Sequence, residues 1–178
     1  MHSGLKKGLG ALALMAWPLA IFLLHDLTGS WLLLLLGCLL LVWRMPDARV
    51  LALIAAAVLV ALGLFSQAEL GMRAYPVAVN IIMFCLFASS LIKGQSMIER
   101  FARLQEPDLP PEGVRYTRQV TWAWCGFFVI NGSISAWTAL YAELATWALY
   151  NCLISYLLMG LMFAGEWLIR RRVRRVNA

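Results

Sequence analysis

Charged side chains are scarce in this chain: Asp, Glu, Lys and Arg make up 13% of its 178 residues, against 62% that are hydrophobic. A water-soluble fold of this size cannot hide that much apolar surface, so the balance excludes an ordinary soluble domain. Histidine occurs only as His2 and His25, too few and too far apart for a metal site. The four cysteines, Cys38, Cys85, Cys125 and Cys152, have neither C-x-x-C spacing nor a neighbouring histidine, and read as small packing residues. His25-Asp26 is the nearest approach to an orienting pair for base catalysis, and no nucleophile motif accompanies it. The residues therefore assign no catalytic, cofactor-binding or metal-binding position.

What is abundant is long apolar runs, and about 20 such residues match a hydrocarbon layer of about 30 Å. The expected fold is an all-α polytopic membrane protein of one domain, residues 1–178, with about six spans. They are placed near 8–24, 27–43, 50–65, 76–92, 120–141 and 147–168. The first is taken as a retained span rather than a cleaved signal, because no A-x-A-like site follows it. The second has a strongly apolar core of only Trp31 to Trp43, so five spans is the alternative count. Proline after Trp17 is expected to kink the first span.

The net charge of +6 would suggest nucleic acid if it were spread over a soluble surface. Instead the cations cluster at the ends of apolar runs, which is an orientation signal and excludes nucleic acid as the partner. With six spans and the N terminus inside, Lys6, Lys7, Arg44, Arg49, Lys93, Arg100, Arg103, Arg115, Arg118 and the arginines from Arg170 onward share the cytoplasmic side. Only Arg73 falls outside. This predicts that both termini are cytoplasmic, and the membrane is expected to be a bacterial inner membrane. Trp43, Tyr116, Trp122, Trp124 and Trp167 are expected in the inner aromatic belt, and Trp31, Tyr75, Trp137, Tyr141 and Trp147 in the outer one.

The one sizeable loop, residues 93–119, is cytoplasmic. In it Met97, Ile98, Phe101 and Leu104 recur at helical spacing, opposite Glu99, Arg100 and Arg103. That pattern predicts a short amphipathic helix along the inner interface, with Glu99 and Arg103 paired and Met97, Phe101 and Leu104 in lipid. Pro107, Pro110 and Pro111 are expected to end it and force an extended return to the next span. The basic tail, residues 169–178, carries Arg170, Arg171, Arg172, Arg174 and Arg175. Each cation beside an anionic leaflet is worth about 1 kcal/mol, so anionic lipid is the expected partner, with an acidic envelope or cytoplasmic protein as a second.

Within the spans, Asn80, Asn131 and Asn151, with Ser89, Ser90, Ser133, Ser135 and Ser155, either line a polar route or hydrogen-bond between helices. Gly132 with Ala136, and Gly160 with Ala164, have the small-xxx-small spacing of close helix contacts. Glu166 is the one acid inside a span, and Arg170 at i+4 is its expected partner.

From about Ala74 onward, the order of features resembles the bacterial intracellular septation protein A family of polytopic inner-membrane proteins. The matching residues are Leu91-Ile92-Lys93, Met97-Ile98-Glu99-Arg100, a proline-containing loop, Trp124, Phe127-Phe128 and Gly132. Thr121 and Ser135 stand where the family pattern has asparagine, so the chain resembles a divergent relative. The resemblance implies a non-catalytic scaffold or accessory protein of cell-envelope biogenesis, of septation or envelope-lipid type. It supplies no catalytic residue. A small transporter or lipid-handling protein using the polar residues of the last three spans is the alternative.

Overall fold

A computed structural model describes residues 16–45, 48–92, 94–104 and 106–176, with side chains through Arg170. Among these residues the secondary structure is helical, without strands. In chain order the helices are α1 (Ala16–Thr28), α2 (Ser30–Arg44), α3 (Arg49–Phe65), α4 (Ala68–Arg73), α5 (Tyr75–Ile92), α6 (Met97–Arg103), α7 (Pro111–Tyr141), α8 (Leu144–Ala148) and α9 (Ser155–Val176). A π-helical turn, Leu149–Ile154, joins the last two.

Among the described residues, three stretches are long and apolar enough to cross a membrane: Ala68–Ile92, Pro111–Tyr141 and Leu144–Arg170. Helices α1, α2 and α3 are apolar but shorter. At 1.5 Å per residue, the 15 residues of α2 and 17 of α3 reach about 22 and 25 Å. The start of the expected first span, residues 8–15, lies outside the described residues. Pro18 stands at the third described residue of α1, where any kink depends on the segment before it.

Several expected boundaries move. Pro111 does not force an extended return: it occupies the first turn of α7, where its missing N–H costs nothing. The helix containing the fifth expected span therefore starts nine residues earlier than position 120, and residues 93–119 are largely helical. The connection between the expected third and fourth spans, residues 66–75, contains α4. The basic tail continues α9 as helix through Val176.

Packing divides the molecule into two cores. In the first, leucines and alanines of α2 and α3 pack with Ile21 of α1, Met72, Tyr75 and Trp147. Glycine permits its closest approaches. A Cβ on Gly71 would lie 2.6 Å from the Leu59 carbonyl oxygen, and one on Gly63 2.8 Å from a Leu34 methyl. The second core is aromatic: Phe87 of α5 meets Trp124 and Phe128 of α7 at centroid distances of 6.3 and 5.2 Å. Tyr75, Trp124 and Trp147 are consequently interior residues, at 2%, 4% and 0% exposure, and not members of the expected belts. Trp31, Trp43, Trp122, Trp137, Tyr141 and Trp167 do stand exposed.

Candidate functional site

Helices α5 and α7 form the most extensive pairing, and Gly132 sets its depth: a Cβ there would lie 3.1 Å from Cβ of Asn80. At this close approach Asn131 Nδ2 donates to Asn80 Oδ1 at 3.1 Å, and Asn80 Nδ2 donates to the Pro76 carbonyl at 2.8 Å. Tyr150 reaches in from the π turn, its hydroxyl donating to Asn131 Oδ1 at 2.9 Å. Its neighbour Asn151 accepts from Ser135 Oγ at 2.8 Å and donates to Thr138 Oγ1 and to the Trp147 carbonyl. The wider π turn, marked by the Ser155 N–H bonding back to the Tyr150 carbonyl, accompanies both consecutive side chains turning toward α7. Asn80 and Asn131 thus pair directly, while Asn151 bonds Ser135, which the sequence reading grouped with it, and Thr138; Tyr150 and Thr138 are partners that the sequence reading did not assign. All six are buried and each is hydrogen-bonded, which is what buried polar groups require in an apolar surrounding.

Arg73, the cation expected to stand apart from the others, is committed to internal contacts. Its guanidinium donates to the Thr138 carbonyl at 3.0 Å and to the Ala142 carbonyl, and pairs with Glu69 at 3.4 Å. It caps the end of α7, adding a second donor to the Thr138 carbonyl, which also accepts from the Ala142 N–H, and meeting the Ala142 carbonyl just past the helix. Trp147 Nε1 donates to the Arg73 carbonyl at 3.0 Å. One residue therefore joins α4, α7 and α8.

The opposite end is organised by α6, whose first three N–H groups are each met by a hydroxyl. Met97 N–H donates to Ser90 of α5 at 2.9 Å, Ile98 N–H to Thr121 of α7 at 3.4 Å, and Glu99 N–H to the cap residue Ser96 at 3.4 Å. Glu99 returns the bond from the Ser96 N–H and pairs with Arg103 at 2.9 Å. This corrects the expected amphipathic face. Glu99 is buried, at 4% exposure, and Met97 and Ile98 pack on the aromatic core, while Phe101 and Leu104 project outward at 56% and 82%. The helix hangs by its N terminus between α5 and α7. No sequence periodicity marks Ser90 and Thr121 as its anchors.

Glu166 is remote from the asparagines and pairs with Arg170 at 2.6 Å, as the i+4 spacing predicts. The side chains of Arg171, Arg172, Arg174 and Arg175 lie outside the described residues.

A polar chain also occupies the α1–α2 turn. His25 Nδ1 lies 3.2 Å from Asp26, and Ser30 Oγ lies 3.3 Å from His25 Nε2. Gly29, at φ 76°, turns the backbone so that Ser30 starts α2. The connectivity is that of a Ser-His-Asp triad, and sequence reading missed Ser30 because no nucleophile motif surrounds it. The carboxylate that should orient the imidazole is 98% exposed, where water screens it, so the arrangement lacks the buried acid of that machinery. Among the described residues no cluster of three or more metal-binding side chains occurs.

No protein family, curated protein or solved structure matches the chain. The resemblance to septation protein A therefore rests on its sequence motif alone.

Proposed function

We propose that this chain is a non-catalytic accessory or scaffold protein of a bacterial inner membrane, acting in envelope biogenesis through its arginine-rich end. One observation carries this reading: Asn80, Asn131, Asn151, Ser135, Thr138 and Tyr150 are hydrogen-bonded to one another or to backbone, while Arg100, Arg115 and Arg118 stand exposed at the end where the arginine tail also lies. A closed network is suited to holding helices in register, and an exposed cationic end to recruiting an acidic protein beside anionic lipid. An acyl carrier protein is one candidate of that chemistry. We place α1, α2 and α3 as three further crossings, giving six, with both termini cytoplasmic. Phe101 and Leu104 then lie at the inner interface.

Recruitment is tested by replacing Arg171, Arg172, Arg174 and Arg175 with glutamine. The variant should insert normally, yet lose partner copurification and fail to complement a deletion strain. Full complementation by this variant, with failure of alanine at Asn80, Asn131 and Asn151, would move the working site into the bundle and favour transport. Orientation is tested at Gln67, exposed before α4, as the single cysteine of a cysteine-free chain. It should react with an impermeant thiol reagent in spheroplasts, and protection there would reverse the topology.

A further inference from the structure

Helices α7 and α9 run side by side without closing on each other. Tyr116 donates to the Glu166 carbonyl at 3.1 Å, Trp124 meets Phe163 at a centroid distance of 4.7 Å, Met159 and Met162 pack on the aromatic core, and at the far end Tyr150 of the preceding π turn donates to Asn131 at 2.9 Å. Around these contacts lies an open cavity of about 780 Å³, within the range of about 300–1,000 Å³ common for ligand sites. Its walls are apolar, with Trp124 and Phe127 on one side and Leu161 and Met162 on the other. Gly126 and Gly165 line it too, and a Cβ on either would meet nothing within 4 Å.

We infer that this slot holds one acyl chain of an anionic phospholipid, its phosphate at the Tyr116–Glu166 end. Shape argues for a chain and against another helix. Both ends are spanned by a single tyrosine, whereas a helix with its side chains needs about 10–12 Å. From Tyr116 to Asn131 the slot follows α7 for about 22 Å, more than the ~15 Å hydrocarbon depth of one leaflet. A chain lying in it can therefore follow α7 along the whole of that depth. Charge chooses the headgroup. Arg115 and Arg118 stand exposed beside the Tyr116 end, and Arg170 lies next to Ile169 of the opposite wall. Only the carboxylate of Glu166 borders the cavity against them, and it is already paired with Arg170. Cations at headgroup level attract an anionic phosphate. The argument holds whichever membrane face this end occupies, so it stands or falls separately from the accessory function.

The full-length chain in nanodiscs of mixed phosphatidylglycerol and phosphatidylcholine, with a phosphatidylglycerol carrying a photoreactive group in its acyl chain, tests the inference. Labelling should concentrate on α7 between Val120 and Ile130 and on the facing stretch of α9. Gly126→Leu with Gly165→Leu should reduce it about tenfold while circular dichroism is unchanged, since both glycines face open space. Gly165→Leu alone serves if the pair does not fold. Arg115→Gln with Arg118→Gln should cut the preference for phosphatidylglycerol by roughly fivefold or more and leave chain labelling in place. Label spread equally over the exposed faces of α2 and α3 would mean ordinary boundary lipid and overturn the site. So would label unmoved by the leucine variants, or efficient disulfide formation between two copies carrying Leu161→Cys, which would make the occupant a second copy.

Discussion

Among the described residues, helices α1–α4 and helices α5–α9 are held together by different chemistry. Helices α1–α4 offer mostly leucine, alanine and valine, and they fit because glycine removes volume where backbones approach, at Gly63 and Gly71. Helices α5, α7 and α9 are longer, at 18, 31 and 22 residues, and their half is specified by hydrogen bonds between Asn80, Asn131, Tyr150, Ser135 and Asn151. In lipid, apolar faces give little directional preference, because the solvent is as apolar as the side chains. Shape must then set the packing in one half, and polar pairing sets it in the other.

The sharpest way to break this contrast is a volume change in the first half. Gly71→Leu should abolish the folded protein, costing about 3 kcal/mol or more, because the obstructing atoms at 2.6 and 3.1 Å are backbone and cannot swing aside. Monodisperse yield and thermal midpoint in detergent report it, with Gly160→Leu, which meets open space, as the neutral control. Equal tolerance of the two would refute shape as the organiser of that half.

Next in size is a polarity change in the second half. Asn131→Leu leaves Asn80 Oδ1 and the Tyr150 hydroxyl without their partners, and should cost about 1–2 kcal/mol. Asn80→Leu on the same background should cost less than it does alone, a coupling measured as a double-mutant cycle of unfolding in mixed micelles. Additive losses would mean that the asparagines do not act as a unit.

A smaller, local effect is expected at α6. Glu99→Ala removes the capping box and the Arg103 partner, worth roughly 1 kcal/mol, and should raise protease cleavage around Pro107 without altering the global midpoint. A fall in the global midpoint instead would make α6 part of the cooperative core. The smallest effect belongs to the α1–α2 turn. Ser30→Ala should leave stability and complementation unchanged, and the parent chain should not react with a fluorophosphonate. Labelling that disappears in Ser30→Ala would establish a serine hydrolase and remove the non-catalytic reading.

How much was legible in the sequence differs between these same regions. Apolar runs placed α3 and α5 within a residue of their observed starts, because run length needs no knowledge of neighbours. The Glu166–Arg170 pair was equally legible, being four residues apart on one helix. The interior places of Tyr75, Trp124 and Trp147 were not, since an aromatic residue at the end of an apolar run suits a headgroup belt as well as a core. Glu99 was misplaced for a similar reason. Periodicity assigned it to the polar face, and only the position of α7 shows that this face is covered.

By itself, the sequence determined that the chain is helical and suited to lipid, and that its cations gather at the ends of apolar runs. Those are properties of composition and of spacing along one helix. Tertiary structure decided which helix meets which: the Asn80–Asn131 pair spans 51 positions and the Arg73 cap on Ala142 spans 69. It also decided that α7 and α9 part company over the slot while α5 and α7 close fully. A buried hydrogen bond joins groups wherever packing brings them within 3 Å of each other, and separation along the chain carries no record of that distance.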